Sequence, residues 1–435
     1  MDGYIWNQEM ETLPQEALRQ LQGERLVDCV RRIYGNVPFY TEKMQAAGIT
    51  PDDIRSLDDL SKLPFTDKHD LRDNYPYGTF AVPLSQIVRV HASSGTTGKM
   101  KVVGYTKEDI DLWAECISRC LAMTGMTAED RLHVAYGYGL FTGGLGVHYG
   151  AERMGVMVIP VSSGNTSRQL DILVDFQPTA LACTPSYALH LADEMDAHGI
   201  DKSQLALKVG IFGAEPWTLE MKQQIEDRLG LKAFDIYGLS ETLGPGVSMT
   251  CDHGDLLHIQ SDHFIAEVVD PDTGKPLGEG EIGELVFSSV TKTGTPLLRY
   301  NTHDLTRLFY GTCSCGRTTV RMEKVTGRAD DMLIIRGVNV FPSQIESILL
   351  KYGELEPHYM IHVDRVNNID KLEVQIEMSK AFFSDSIREI ENIERRLTAD
   401  IHSVLGISAK ITLVEPRSLP RSEGKAKRVI DKRKF

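Results

Sequence analysis

The sequence predicts an α/β fold in two parts: a large multi-subdomain amino-terminal part with mainly parallel sheets and a distorted β-barrel piece, then a small mobile α+β carboxy-terminal domain. Three observations predict it. Between about residues 131 and 237, short apolar runs alternate with amphipathic stretches, the rhythm of a parallel sheet covered by helices. From Phe264 onward, "FIAEVVDPDTGKPLGEGEIGELVFSS" and "PLLRYNTHDLTRLF" read as strands joined by turns. After "GRADDM" come strand, helix, two strands, helix and strand, which places a boundary at Arg328–Asp331 and gives parts 1–329 and 330–435.

The elements follow in order. Pro14 to Ala47 is helical, with Leu18, Leu21, Leu26, Val30 and Ile33 on one face. "IVRVHA" and "KVVGYT" are short strands on either side of a glycine- and hydroxyl-rich loop. "KEDIDLWAECISRCLAMTG" is an amphipathic helix whose Cys116 and Cys120, four apart, read as core. "RLHVAY", "GVMVIPV", "TALACTP" and "LKVGIFGAEP" supply parallel strands, and "FGAEP" and "DIYGLSE" fall at strand ends, where open α/β sheets bind ligands. The basic last stretch, "RSEGKAKRVIDKRKF", reads by composition as a solvated end.

A chain of 435 residues exceeds one ordinary core. Its net charge of −14 argues against a broad nucleic-acid or anionic-membrane surface. The opening "MDGYIWNQEMETLP" has no apolar signal-peptide core, and apolar runs are too short to span a bilayer. Seven scattered cysteines fit a reducing compartment, so the cytoplasm is expected.

The loop in "VHASSGTTGKMKVVGYT" has phosphate-binding chemistry without P-loop spacing. Only two residues separate Gly95 from Gly98, and Lys99 is followed by Met100 rather than a hydroxyl. Its glycines still expose backbone N–H groups to an anion, and Ser93, Ser94, Thr96 and Thr97 add donors. An ordinary surface hairpin is the competing reading of this stretch alone.

The order of motifs carries more than any one of them. The hydroxyl loop is followed by "FGAEP", "DIYGLSE", "RYNTHD", "GRADD" and "LPRSEGKAKR". This series resembles the adenylate-forming superfamily of acyl-CoA synthetases, adenylation domains and luciferases, and more closely its phenylacetate-CoA ligase branch. That resemblance implies ATP, Mg²⁺ and coenzyme A, with a small carboxylic acid activated as its adenylate and passed to the thiol. It implies phosphate binding by Ser93, Ser94, Gly95, Thr96, Thr97 and Gly98. Nucleotide contacts are implied for Gly213, Ala214, Glu215 and Pro216, and for Asp235, Ile236, Tyr237, Gly238 and Ser240. Glu241 matches the Mg²⁺ ligand, Asp304 the ribose acceptor and Arg328 a ribose or phosphate contact. Asp330 matches the hinge and Lys425 the lysine that stabilises charge at the α-phosphate. His303 stands where most of the superfamily has glycine. The resemblance also implies a homodimer paired through the amino-terminal helical segment.

The acyl pocket is expected at Tyr136, Phe141, Ala214, Ile236 and Pro245, with Tyr138 nearby. Apolar and aromatic walls suit an aryl acid, with phenylacetate leading and indole-3-acetate or other hydrophobic acids open. A freestanding adenylation enzyme that loads a carrier protein is the rival reading. Separately, Cys251 and His258 in "CDHGDLLH" with Cys313 and Cys315 in "GTCSCGR" have the composition of a structural Cys₃His zinc site. His253 competes as its histidine.

Overall fold

The computed structural model describes residues 3–93, 99–325, 327–329, 333–336, 338–366, 369–380, 382, 387–421 and 427–433. Two compact units emerge. One comprises Met1–Cys183, Leu205–Ala214 and Lys232–Val325; the other comprises Thr184–Gln204, Glu215–Leu231 and Thr326–Phe435. The second unit therefore collects two helical excursions from the middle of the chain as well as the carboxy-terminal segment.

Among the described residues, the first unit is centred on a nine-stranded mixed sheet. Lys232–Tyr237, Val209–Gly213, Ala180–Cys183, Arg131–Val134 and Met157–Ile159 lie side by side and parallel. Ala180–Cys183 and Val209–Gly213 are buried along their whole length, as central parallel strands must be. Beyond Lys232–Tyr237 the sheet turns antiparallel through Ser248–Thr250, Leu257–Ile259, Arg321–Met322 and Leu308–Phe309. Phe264–Val269, Gly283–Ser289 and Leu297–Thr306 form the expected distorted antiparallel piece, with register shifts between Glu284 and Val286 and between Phe287 and Ser289.

The expected amino-terminal helix is two helices, Gln15–Ile33 and Pro38–Ala46. Gly35 at φ +85° breaks the first, and Pro38 starts the second. Helix Lys107–Met123 opens on a reciprocal cap between Thr106 and Asp109 and buries Trp113, Ile117 and Cys120 against the sheet's core. Among the described residues, no helix is long and apolar enough to cross a membrane.

In the second unit, helices Pro185–His198 and Leu219–Leu229 each end on a left-handed glycine, Gly199 and Gly230. The carboxy-terminal segment has a four-stranded sheet in the order Lys410–Val414, Ile369–Met378, Leu355–Val366 and Val429–Asp431. Helices Pro342–Leu349 and Ile387–Leu405 complete a separate core around Ile361, Val374, Leu397 and Ile401. The basic tail is not merely a solvated end. Val429–Asp431 pairs parallel to Leu355–Val366, Arg428 bonds Glu346 at 2.7 Å, and Arg433 bonds Asp370 at 3.2 Å.

Candidate active site

The strand Lys232–Tyr237 delivers "DIYGLSE" to its carboxyl end, and the loop that follows folds tightly on itself. A Cβ on Gly238 would lie 1.8 Å from the Gly244 carbonyl oxygen, so only glycine permits this closure. The Tyr237 hydroxyl donates to Asp304 Oδ2 at 2.6 Å, bringing together two predicted nucleotide residues 67 positions apart. Asp304 sits on strand Leu297–Thr306 immediately after His303, whose φ is +60°. The histidine thus adopts the conformation that glycine favours, held by its N–H on Asn301 Oδ1 at 2.9 Å and its ring on Glu284 at 3.1 Å.

Glu241 is 2% exposed, accepts from Ser93 Oγ at 3.1 Å and forms an ion pair with Lys101. Burial alone would raise its carboxyl; the Lys101 ammonium and the hydrogen bonds outweigh that and hold it below the usual carboxylate range. Lys101 is a site residue that the motif comparison passes over. Its signal is register: in the hairpin, Ser93 pairs with Lys101, so the strand after the loop returns a lysine beside the strand that enters it. Ser94, Gly95, Thr96, Thr97 and Gly98 lie outside the described residues, as do Asp330 and Lys425.

Three further contacts tie the site loops together. Ala92 N and His91 Nδ1 both reach the Leu140 carbonyl, at 2.9 and 3.1 Å, joining the predicted phosphate hairpin to the predicted acyl loop. Thr142 Oγ1 and Ser240 Oγ are 3.1 Å apart. Below the loop, the Tyr105 hydroxyl donates to the Ser240 and Leu243 carbonyls at 3.3 and 3.0 Å, and Trp113 Nε1 donates to the Pro245 carbonyl at 2.9 Å. The two rings stack with centroids 5.3 Å apart. This buried platform holds the backbone on both sides of Glu241.

The remaining predicted residues divide. A Cβ on Gly213 would lie 2.1 Å from the Ile236 carbonyl oxygen, and Ala214 has φ +71°, so this strand end is crowded and sharply turned. Tyr136 and Ile236 share the main core, whereas Phe141 is 57% exposed. Asp235 forms an ion pair with Lys324 at 3.6 Å. In the second unit, Glu215 accepts from Ser186 N at 2.8 Å, Pro216 follows it, and Arg328 lies on the short strand Gly327–Arg328, half-buried.

Comparison with known proteins decides the family. The profile of the AMP-binding enzyme family matches residues 40–293, and that of the AMP-binding enzyme C-terminal domain matches 337–433. Phenylacetate-coenzyme A ligase of Thermus thermophilus is 50% identical over 99% of this chain and 100% of its own. The Escherichia coli phenylacetate-coenzyme A ligase is 51% identical over 98% and 97%. The chain belongs to the AMP-binding enzyme family, in its phenylacetate-coenzyme A ligase branch. Among solved structures, 2-hydroxyisobutyryl-CoA ligase in its postadenylation state superposes with a TM-score of 0.93 at 29% identity, covering 99% of this chain and 92% of that one.

This AMP-binding enzyme also gathers the four predicted metal ligands. The ligand atoms of Cys251, His258, Cys313 and Cys315 all lie within 4.8 Å of one another. Cys251 Sγ and Cys313 Sγ are 3.9 Å apart, and Cys315 Sγ and His258 Nε2 are 3.6 Å apart. A tetrahedral zinc with ordinary bond lengths requires about 3.8 Å and about 3.6 Å for these edges. His258 Nδ1 meets Thr319 Oγ1 at 2.9 Å, which leaves Nε2 facing the thiols. His253, the competing candidate, is turned to Asp252 at 2.6 Å.

Proposed function

We propose that this AMP-binding enzyme is an ATP-dependent phenylacetate-coenzyme A ligase that works through an acyl-adenylate. In the first half-reaction a carboxylate oxygen attacks the α-phosphorus of ATP and the bond to pyrophosphate breaks. In the second, the coenzyme A thiol attacks the acyl carbon, the bond to AMP breaks, and the thiol proton passes to solvent. The observation that carries the reading is the Glu241–Lys101–Ser93 group at the ends of a hydroxyl- and glycine-rich loop. It sits in a chain half identical, end to end, to phenylacetate-coenzyme A ligases.

The donor set suits that chemistry. Glu241 is a buried hard-oxygen ligand for Mg²⁺, which when bound would neutralise charge on the phosphates. Lys101 and Ser93, with Ser94, Gly95, Thr96, Thr97 and Gly98, serve polyphosphate; Asp304, oriented by Tyr237, accepts from ribose. Asp235, Ile236, Gly238, Ser240, Gly213, Ala214, Glu215, Pro216 and Arg328 complete the proposed nucleotide site. Tyr136, Phe141, Ala214, Ile236 and Pro245 are the proposed acyl walls. Lys425 is assigned the stabilisation of charge at the α-phosphate and Asp330 the hinge of a mobile cap, residues 330–435. Cys251, His258, Cys313 and Cys315 fit a closed, structural Zn²⁺ site. We assign the enzyme to the cytoplasm as a homodimer; seven cysteines, none in a disulfide, suit a reducing compartment.

Carboxylate-dependent exchange of labelled pyrophosphate into ATP, without coenzyme A, tests the reading across aryl and aliphatic acids. Exchange with phenylacetate well above the rest supports it. Stronger exchange with another acid overturns the substrate, and no exchange with any acid overturns adenylation.

A further inference from the structure

Lys292 is the least expected side chain near the proposed site. It is 1% exposed, and its ammonium has no hydrogen-bond acceptor among the described residues. A buried, unbonded cation is costly, and side chains of this kind concentrate where function maintains them. Its Nζ instead lies 4.3 Å from the centroid of the Tyr105 ring, the same ring whose hydroxyl holds the Ser240 and Leu243 carbonyls around Glu241.

The backbone that presents it is pinned. Thr293 N, Thr293 Oγ1 and Gly294 N donate to Asp109 at 2.7, 3.1 and 2.8 Å, and the Lys292 carbonyl accepts from Arg32 at 3.1 Å. Asp109 also accepts from Thr106 N at 3.0 Å, so four donors occupy its two oxygens. Burial pushes the Lys292 ammonium down to about 8, and the negative charges of Asp109 and Glu241 offset part of that. Lys101 touches Glu241 and is 17% exposed, whereas Lys292 is sealed against the Tyr105 ring.

We propose that Lys292 is a positioning residue for adenylation: its buried ammonium, seated on the Tyr105 ring, keeps the Tyr105-held loop in place around Glu241. The argument rests on the adenylation reading above.

The test compares Lys292→Met, which keeps the stem and deletes the charge, and Lys292→Arg, which keeps the charge, with the full-length wild type. Pyrophosphate exchange should fall roughly ten- to a hundredfold in Lys292→Met, with a raised Mg²⁺ requirement and an unchanged KM for the acid. Thioester formation from supplied phenylacetyl-AMP should stay within twofold of wild type, and Lys292→Arg should recover much of the exchange. Melting temperature should hold or rise in Lys292→Met, because an unpaired buried charge has gone. A lysine that merely packs would give the opposite: both half-reactions and the melting temperature would fall together. Exchange by Lys292→Met within twofold of a working wild type would overturn the role alone. Absence of exchange in the wild type would overturn the adenylation reading and this role with it. If Lys292→Met fails to fold, Lys292→Gln and Lys292→Arg carry the same comparison.

Discussion

The hydroxyl of Tyr237 donates to Asp304 at 2.6 Å, across the 67 residues that separate the end of a parallel strand from the end of an antiparallel one. It fixes the rotamer of a carboxylate that is 4% exposed. Replacing Tyr237 with Phe removes one neutral donor, worth about 1 kcal/mol, so AMP should bind roughly fivefold more weakly. Asp304→Asn should cost more, because the acceptor pair itself is lost. Calorimetric titration with AMP checks both.

Glu241 and Lys101 form an ion pair whose members are not equally replaceable. Lys101→Met strands a buried carboxylate and should destabilise the protein by about 3–5 kcal/mol, while Lys101→Met with Glu241→Gln should recover most of that loss. Denaturant midpoints of the singles and the double measure it. Exchange of pyrophosphate should be lost in every variant that carries Glu241→Gln.

Zinc content should approach one ion per chain, and Cys313→Ser with Cys315→Ser should abolish it. The cysteine loop also holds the chain's beginning: Arg317 bonds Glu11 and the Tyr4 carbonyl, each at 2.5 Å. Chelation should therefore expose residues 3–13 to limited proteolysis and lower the melting temperature. An intact amino-terminal segment after complete metal removal would separate the two.

Acid should unfold this enzyme early. Burial pushes His91, His133 and His263 each down to about 4, so they stay neutral in the folded protein while the unfolded chain takes up protons near pH 6.5. The unfolded state thus binds more protons between pH 6.5 and 4, and the stability contributed is complete above pH 6.5 and falls as pH drops. Each histidine removes about 1.4 kcal/mol per pH unit in that window, about 4 kcal/mol for the three. Urea midpoints between pH 7.5 and 5 test the slope, and His133→Gln should reduce it by a third.

Lys425→Ala should lose adenylation while thioester formation from supplied acyl-AMP stays near wild type. Adenylation persisting at the wild-type rate would move the catalytic charge to another residue.

Contiguous features were legible in the sequence. Strand–helix alternation, the turn chemistry of "DIYGLSE" and the order of six motifs depend on neighbours along the chain, and they indicated the parallel sheet, the family and residues such as Glu241 and Asp304. Lys101 was half legible: the hairpin was predicted, but only its register, Ser93 opposite Lys101, turns the second lysine of "GKMK" rather than Lys99 toward Glu241. Cys313 and Cys315 suggested a metal site, whereas the preference for His258 over His253 as the candidate histidine required strand pairing to bury one and leave the other on Asp252. Tyr105, Trp113 and Lys292 carry no motif at all. Their roles arise where a strand, a helix and a loop from three regions of the chain meet beneath Glu241, because hydrogen bonds and charge act over ångströms of space and not over positions of sequence.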